Sequence, residues 1–438
     1  KEVYYTVPSR ETIYNICQRF KTSEKELLKL NPELSGGLRK GMILRIPLRI
    51  NESDIPKPEE QAPGEVNAML DSHSSKPLNA SKIALLLPFN ADNAERSDLS
   101  NRMVEYYEGM LLAADSFRNQ GYATELFLYD IGEKTDKLQQ LLRDKNDVFK
   151  SVNLIIGGWS NEQVKILSDY AGRNHIKYVI PITSKNDDVL NNAYIYQVNT
   201  PQQYLYDNAS FAAAALFADH NIVFVDTQDK DEQSDFIKVF KRELNDRKIS
   251  SATIVHNSSD FESKIIGALS KTKPNVVIPF SASIESLNKI KTVLRSIIQT
   301  KPEYKVTLFG YPKWQTYYKD CLDDFHELNT YIYSLFYADN IDPAVKQFYD
   351  NYKNWYSKTP MPSFPKYAML GFDTGMFFLD ALQKYGDNFE NHISKMKYKS
   401  VQTGFNFERV NNWGGFINTN IYMIHFNKDF TITRSDFK

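Results

Sequence analysis

Apolar positions near the start of the chain change their period repeatedly. Tyr5 and Val7 alternate with polar neighbours, as in a strand with one buried face. The next apolar residues recur at the spacing of an amphipathic helix, and they are Ile13, Ile16, Cys17 and Phe20. A second helical segment stops at Asn31-Pro32, and residues 42–46 read as a closing strand. The pattern predicts a βααβ unit whose helices cover one face of a two-stranded sheet.

The start of the second helix has its own signal. Ser23 is followed three residues later by Glu26, which is the spacing of a capping box. The serine oxygen accepts from a free backbone N–H of the first turn, and the glutamate reaches back to the serine N–H. We therefore predict that the helix begins directly after Ser23.

The periodicity disappears between residues 51 and 80. Prolines at positions 56, 58, 63 and 77 stand among charged and small residues. Such a segment buries too little apolar surface to offset the entropy of ordering it. We predict a flexible linker whose ends lie on the order of 30 Å apart.

From residue 81 onward, apolar runs of strand length alternate with helical patterns. The first four runs are "KIALLLPF", "TELFLYD", "VNLIIGGWS" and "IKYVIPITS". After Asn199 and Thr200 the alternation restarts with "NIVFVD", "ATIVHN", "NVVIPFS" and "KVTLFG". Alternation of this kind predicts parallel sheets covered by helices on both faces, because each parallel connection needs a crossover. The chain is thus an α/β protein with two lobes after the linker.

Composition narrows the functional classes. The chain has 438 residues, 42% of them hydrophobic, and a formal net charge of -1. That charge gives no basic footprint for nucleic acid, and no apolar run reaches the length of a membrane-spanning helix. Cys17 and Cys321 are too far apart in the chain to suggest a disulfide framework or a metal knuckle, and we expect both to be buried hydrophobes. We predict neither a metal nor a cofactor, and if the protein is exported, this is its processed part.

The N-terminal unit resembles a LysM domain. The residues that carry the resemblance are "YTVPSRETIYNI", "LLKLNPEL" and "LRKGMILRIP". The family usually opens with Tyr-x-Val and a Gly-Asp-Thr-Leu turn, whereas this chain has Arg10-Glu11-Thr12-Ile13. The resemblance covers about one tenth of the chain and implies a module at residues 1–50.

LysM domains bind glycans that contain N-acetylglucosamine, in bacterial peptidoglycan or chitin. The resemblance implies a shallow groove between the loop entering the first helix and the loop leaving the second. The groove residues would be Pro8, Ser9, Arg10, Glu11, Thr12, Asn31, Pro32, Glu33 and Leu34. Helix termination by Asn31-Pro32 and helix capping by Thr12 are the structural alternatives.

Residues 81–438 resemble the type I periplasmic solute-binding fold of leucine/isoleucine/valine-binding proteins. The segments that carry this resemblance are "YYEGMLLAADSFRNQGY", "LIIGGWSNEQVKILSDYAGRNHIKYVIPITS", "DPAVKQFYDNYKNWY" and "YAMLGFDTGMFFLDALQKYG". In that fold the chain crosses between the lobes three times. The resemblance implies lobe one at residues 81–200 and 338–398, lobe two at 201–337 and 399–438, and a ligand cleft at the carboxyl ends of the strands.

The residues at those strand ends are the candidate ligand contacts. On lobe one they are Trp159, Ser160, Asn161, Thr183 and Ser184, and on lobe two Asp226, Ser281, Ser283 and Tyr311. Hydroxyl, amide and backbone N–H groups at the start of a helix can receive an anion. The alternative for each hydroxyl is a helix N-cap without a ligand, and for Trp159 a core or interface aromatic.

Lobe two departs from the family pattern. Amino-acid binders commonly place an acidic residue after the strand that here ends in "TLFGYPKW", to hold the ammonium of the ligand. This chain has Tyr311, Pro312 and Lys313 at that point, and "DKDEQSDF" where many members carry an aromatic-glycine pair. The departure speaks against a standard α-amino acid as the ligand.

No sequence motif indicates an enzyme. The chain lacks a G-x-S-x-G elbow, an H-E-x-x-H pair, a C-x-x-C knuckle, a P-loop and a G-x-G-x-x-G turn. Asp373 in "LGFDTG" is expected to be a solvated or hydrogen-bonded carboxylate of a helix. Turnover of wall fragments by residues distant in sequence is the enzymatic alternative.

Two functional hypotheses of different class follow. In the first, the protein is a non-catalytic cell-envelope binding protein, anchored to peptidoglycan by LysM while the bilobal domain binds a small solute or wall fragment. In the second, the bilobal domain is a scaffold for an envelope protein, as in outer-membrane lipoproteins of this fold that activate peptidoglycan synthases. Both place the protein in the periplasm or at the outer membrane, after removal of an export signal.

Overall fold

The computed structural model describes residues 2–7, 11–39, 41–47, 77–229, 233–256, 259–411 and 414–437. The chain divides into two compact units. The first contains residues 1–199, 374–398 and 405–418, and the second contains residues 200–373, 399–404 and 419–438. Most of the predicted linker, residues 51–76, lies outside the described residues.

The N-terminal module has the predicted βααβ order. Its elements are β1 (Glu2–Thr6), α1 (Ile13–Arg19), α2 (Glu24–Leu30), a 3-10 turn (Pro32–Gly36) and β2 (Ile43–Pro47). Strands β1 and β2 pair antiparallel, with Tyr5 opposite Leu44. The module has a hydrophobic core of its own, formed by Tyr5, Val7, Ile16, Phe20, Leu27, Leu34, Met42, Leu44 and Ile46. The capping box of Ser23 and Glu26 is confirmed, and α2 begins directly after Ser23.

The first unit also contains a seven-stranded sheet. Its strands are β3 (Ala80–Leu87), β4 (Ala123–Asp130), β5 (Leu154–Gly157), β6 (Lys177–Ile180), β7 (Ile195–Gln197), β13 (Phe407–Arg409) and β14 (Phe416–Asn418). Their order is β13-β14-β7-β6-β5-β3-β4, parallel except for the antiparallel edge pair β13–β14. The helices are α3 (Asp98–Arg118), α4 (Thr135–Asp144), α5 (Asn146–Ser151) and α6 (Asn161–Asn174).

The second unit has its own seven-stranded sheet. Its strands are β8 (Asn221–Asp226), β9 (Ser251–Val255), β10 (Asn275–Pro279), β11 (Val306–Gly310), β12 (Tyr331–Ser334), β15 (Ile421–Phe426) and β16 (Ile432–Phe437). Their order is β16-β15-β12-β11-β10-β8-β9, and β12, β15 and β16 pair antiparallel. The helices are α7 (Tyr206–Leu216), α8 (Ser234–Asp246), α9 (Phe261–Ala268), α10 (Ile284–Thr300), α11 (Tyr318–Glu327) and α12 (Pro343–Tyr356).

The division of the chain differs from the expected lobe boundaries in two segments. Residues 405–418 belong to the first unit, because β14 pairs parallel with β7. Residues 338–373 group with the second unit, where the Lys366 N–H donates to the Gln402 side chain and Lys399 pairs with Asp342. The long helix α13 (Tyr367–Tyr385) contains the boundary, which follows Asp373.

Asp373 holds the crossover segment 399–404 within the second unit. Its side chain is fully buried, and Oδ1 accepts from the Val401 N–H at 2.9 Å. Oδ2 accepts from the N–H groups of Gln402 and Thr403 at 2.8 and 2.7 Å. A carboxylate supplies acceptors only, so it matches a run of three consecutive backbone donors. The expectation of a hydrogen-bonded carboxylate at this position is confirmed.

The Asp373→Asn substitution is expected to destabilise the second unit by about 3 kcal/mol, because an amide N–H₂ then faces backbone donors in a buried site. Asp323→Asn, at an exposed position of α11, is the matched control and should change stability by less than about 0.5 kcal/mol. Urea unfolding followed by tryptophan fluorescence measures both. Equal midpoints for the two variants would contradict the role given to Asp373.

Candidate functional site

Three of the predicted groove residues of the N-terminal module, Pro8, Ser9 and Arg10, lie outside the described residues. The other predicted groove residues differ in exposure. Thr12, Pro32 and Glu33 are exposed, whereas Asn31 and Leu34 are buried. Leu34 belongs to the hydrophobic core of the module. Its environment favours packing over the glycan contact that the sequence predicts.

Asn31 ties the end of α2 to strand β2. Its Nδ2 donates to the carbonyl oxygens of Leu27 and Arg45, both at 2.7 Å. Its Oδ1 accepts from the Arg45 N–H at 2.7 Å. Both polar atoms of this fully buried amide are therefore committed to the backbone of the module. Asn31 sets the position of the second groove loop, and the exposed Pro32 and Glu33 follow it.

Glu11 has the corresponding role in the first groove loop. Its Oε2 accepts from the Tyr5 hydroxyl at 2.6 Å and from Arg19 Nη1 at 3.0 Å, and its Oε1 accepts from the Thr12 N–H at 3.1 Å. Burial acts to raise the pKa of Glu11, but the hydrogen bonds from Tyr5 and Thr12 and the charge of Arg19 outweigh it, so the pKa is lowered. Thr12 caps α1, since its Oγ1 accepts from the Asn15 N–H at 3.1 Å.

In the first unit, two candidate residues from adjacent strand ends come together. Strands β5 and β6 are parallel neighbours, so the loops after them leave the same edge of the sheet. The Thr183 hydroxyl donates to Asn161 Oδ1 at 3.4 Å, which joins the two loops. Ser184 follows Thr183 and is partly exposed. These three residues form a polar rim at the carboxyl ends of β5 and β6, here called the β5–β6 rim.

Ser160 and Trp159 support this rim in a different way. Ser160 is the N-cap of α6, and its Oγ accepts from the Gln163 N–H at 3.2 Å. The Ser160 hydroxyl also contributes, after the Glu162 backbone N–H, to lowering the pKa of Glu162. The structure thus gives Ser160 the capping role that the sequence left as an alternative. Trp159 is partly exposed, and its backbone N–H donates to Gln163 Oε1 at 3.1 Å.

Gln163 is a residue of the site that the sequence analysis missed. It is fully buried, and its Nε2 donates to the carbonyl oxygens of Gly132 and Lys134 at 2.8 and 3.1 Å. Gln163 therefore fixes the loop after β4 against the loop after β5. Its position three residues after an N-cap serine is the signal that points to it, because a glutamine there can bond back to the preceding loop.

Asp130, which the sequence analysis also missed, accepts hydrogen bonds from the backbone N–H groups that follow β3. Its carboxylate accepts from the N–H groups of Phe89, Asn90 and Ala91 at 3.0, 3.1 and 3.0 Å. Burial acts to raise the pKa of Asp130, but hydrogen bonds from the N–H groups of Ala91, Gly132 and Asn90 and from the Lys137 ammonium lower it overall. An internal anion thus occupies these donors. These N–H groups are therefore not available to a bound anion.

The candidate residues of the second unit are engaged with their own loops. Asp226 Oδ1 accepts from the Gln228 N–H at 2.8 Å, and the Oγ of the buried Ser281 accepts from the Ser283 N–H at 3.1 Å. Ser283 is the N-cap of α10, and its hydroxyl donates to Asp229. Ser283 therefore has the helix-capping role that the sequence analysis gave as the alternative to ligand contact.

Tyr311 lies in the core of the second unit. It is 2% exposed, and its hydroxyl donates to the Pro279 carbonyl oxygen at 2.5 Å. Its ring packs edge-on against Trp314, with centroids 6.0 Å apart. This environment favours a packing role for Tyr311 over the ligand contact that the sequence predicts. Lys313, two residues later, is exposed.

Across the part of the chain that the structure describes, no group of three His, Cys, Asp or Glu side chains is arranged to hold a metal ion. Among the described helices, none has both the length and the apolar character needed to span a membrane.

Sequence comparison identifies two families in the chain. The family described as "periplasmic binding protein" matches residues 81–429, and the LysM domain family matches residues 5–47. A search of curated proteins gave no match.

Solved structures share the fold of the larger region. A protein described as a branched-chain amino acid ABC transporter, from Rhodospirillum rubrum, has 14% identity, covers 81% of this chain and 100% of its own, and has a TM-score of 0.57. Transporter proteins of the same description come from Burkholderia xenovorans and Rhodopseudomonas palustris, each with 13% identity and a TM-score of 0.51. They cover 81% and 82% of this chain, and 94% and 95% of their own. At this identity the likeness establishes the fold alone.

The stability of the N-terminal module is expected to depend on pH through Glu11. Its pKa in the folded module lies below the ordinary value of 4.5, so its contribution is complete above that value and is lost as the pH falls through the folded pKa. Residues 1–50, which carry their own core, should melt at a lower temperature as the pH drops from about 5 to about 3. Circular dichroism measures this unfolding.

The Glu11→Gln module should be less stable at neutral pH and should lose much of that acid dependence. Glu24→Gln, the same charge change at an exposed position, is the control and should keep it. An identical pH profile for Glu11→Gln and the unsubstituted module would show that Glu11 does not hold the loop.

Proposed function

The chain belongs to the periplasmic binding protein family, and on that premise we propose that it is a non-catalytic binding protein of the cell envelope. Its LysM module anchors it to peptidoglycan, and its binding-protein domain takes up a small solute or wall fragment. Members of this family work outside the cytoplasm. That location agrees with the presence of a LysM module in the same chain. The proposed location is the periplasm or an association with the outer membrane.

The observation that carries solute binding is the β5–β6 rim. Asn161 and Thr183 meet across two loops at the carboxyl edge of a parallel sheet, where open α/β folds bind their ligands. Ser184 adds a partly exposed hydroxyl next to them. Hydroxyl and amide groups both donate and accept, so the rim suits the polar end of a neutral or anionic solute.

The solute class follows from what the second unit offers. Lys313 stands near the position where amino-acid binders commonly place an acid, so this chain does not have there the negative charge that would hold an ammonium group. A zwitterionic amino acid is therefore disfavoured. We propose an acidic or glycan-derived solute, the second of which the peptidoglycan anchor would keep close at hand.

A scaffold function is the second candidate, and a specific observation favours it. Three candidate side chains of the second unit are committed to internal contacts. Ser281 accepts from the Ser283 N–H, Ser283 caps α10 and donates to Asp229, and Tyr311 packs in the core. A lobe built in this way suits contact with a protein partner better than recognition of a small polar ligand. The partner in that case is an envelope protein, for example one that synthesises peptidoglycan.

A thermal-shift screen separates the two candidates. Free leucine, isoleucine and valine should leave the melting temperature unchanged, whereas an acidic or glycan-derived solute such as N-acetylmuramic acid should raise it by several degrees, because a ligand that binds only the folded state stabilises it. Ser184→Ala should abolish most of that rise. Ser151→Ala, on the same unit but at the end of α5, is the matched control and should retain it.

Two outcomes would overturn parts of this proposal. Strong stabilisation by a branched-chain amino acid would contradict the solute class. The absence of a response to any solute, combined with capture of an envelope protein, would favour the scaffold.

Peptidoglycan anchoring is tested by co-sedimentation. The full chain should sediment with insoluble peptidoglycan, and a chain that begins at residue 51 should remain mostly in the supernatant, since the LysM module is then missing. Cellulose, an insoluble glycan without N-acetyl groups, is the control and should retain neither protein. Equal sedimentation of the two chains with peptidoglycan would remove the anchoring role from the module.

A further inference from the structure

The module's sheet has one face that its helices do not cover. Along β1 the buried Tyr5 and Val7 point to the core of the module, so Tyr4 and Thr6 point to the opposite face. Thr6 on that face is exposed, but Tyr4 is only partly exposed. Residues outside the module contact Tyr4.

Tyr4 is covered by the edge of the seven-stranded sheet in the same unit. Arg409 on the edge strand β13 lies directly opposite Phe416 on β14 in the antiparallel register. The Arg409 guanidinium carbon lies 4.4 Å from the Phe416 ring centroid and 4.9 Å from that of Tyr4. The Tyr4 and Phe416 rings meet edge to face, with centroids 6.1 Å apart. One guanidinium thus contacts two rings, one from each sheet.

Arg409 and Phe416, the two residues that contact Tyr4, are fixed by further contacts within the first unit. Arg409 Nη1 donates to the Gly414 carbonyl oxygen at 2.8 Å, which fixes the orientation of the guanidinium plane. Phe416 stacks on Tyr196 of β7, with centroids 5.1 Å apart and planes 5° apart. Phe416 is fully buried. Arg409 and Phe416 therefore form a fixed surface for the ring of Tyr4.

We propose that the helix-free face of the LysM sheet is a docking surface for the β13–β14 edge of the first unit, with Arg409 as the latch. A cation between two aromatic faces is stabilised most where water is excluded. The contact is made by the edge strand β13, and proteins commonly protect edge strands from pairing with other chains. The linker thus joins two bodies that are already in contact.

Docking leaves the predicted glycan groove accessible. Thr12, Pro32 and Glu33 are exposed with Tyr4 in place against Arg409. The module can then bind peptidoglycan while docked, and the first unit is held close to the wall. This consequence rests on the proposed anchoring function, whereas the docking itself does not.

The test compares full-length Tyr4→Ala, Arg409→Met and the matched control Thr6→Ala, which alters the same face of the same strand. Hydrogen exchange measured by mass spectrometry should be roughly 2- to 30-fold faster in residues 407–418 of the two latch variants, the range expected for loss of a cation–π contact. Small-angle scattering should show a larger radius of gyration for both. Thr6→Ala should match the unsubstituted protein in both measurements.

Tyr4→Ala changes a residue of the module and could act by unfolding it, whereas Arg409→Met changes no residue of the module. Unchanged exchange in residues 13–30 shows that the module stays folded in each variant. If both latch variants match Thr6→Ala in exchange and scattering, the docking surface is refuted. Co-sedimentation with peptidoglycan separates the two claims. Failure of anchoring removes sedimentation from every variant, whereas failure of docking leaves sedimentation intact and removes the difference in scattering.

Discussion

Backbone N–H groups that leave regular structure must still find acceptors, and in this chain single polar side chains supply them. Asp373 accepts from three consecutive N–H groups of the crossover at residues 401–403. Asp130 does the same for the loop after β3. Asn31 joins α2 to β2 by accepting from the Arg45 N–H and donating to the carbonyl oxygens of Leu27 and Arg45. An unmet buried donor costs as much as a lost hydrogen bond, so these side chains determine where the loops lie. Each candidate binding surface is built on a loop placed in this way.

The same constraint divides the polar residues into two groups. Some hold the loops in place, and others are exposed on the surface that the loops form. Asn31 and Glu11 are committed to the LysM framework, which leaves Thr12, Pro32 and Glu33 as the exposed groove positions among the described residues. In the first unit, Gln163 fixes the loops after β4 and β5, and the residues of the β5–β6 rim lie next to these loops. A residue type that suits ligand binding also suits loop closure. Burial and hydrogen-bond partners distinguish the two roles, and composition does not.

Much of the architecture could be predicted because its signals are local. All eight apolar runs quoted from residue 81 onward are strands, and the Ser23–Glu26 capping box starts α2 as predicted. The return of residues 405–418 to the first sheet could not be predicted. Strands β13 and β14 have three residues each, too few to show a period, and β14 pairs with a strand more than 200 positions earlier. The role of Asp130 was missed for a related reason, since its partners at residues 89–91 are distant in sequence. The core contact of Tyr311 with Pro279 is likewise set by long-range folding.

The position of Trp159 gives the protein a built-in optical signal. Its partly exposed indole immediately precedes Ser160 and Asn161, and its backbone is fixed by Gln163. Trp314 is fully buried in the second unit, so its emission is shielded from solvent. A solute that displaces water at the β5–β6 rim would change the polarity around Trp159 first. Trp355 is also exposed, at 49%, and the chain has a fourth tryptophan at position 413. In a Trp355→Phe, Trp413→Phe variant, intrinsic fluorescence can therefore follow occupancy without a label.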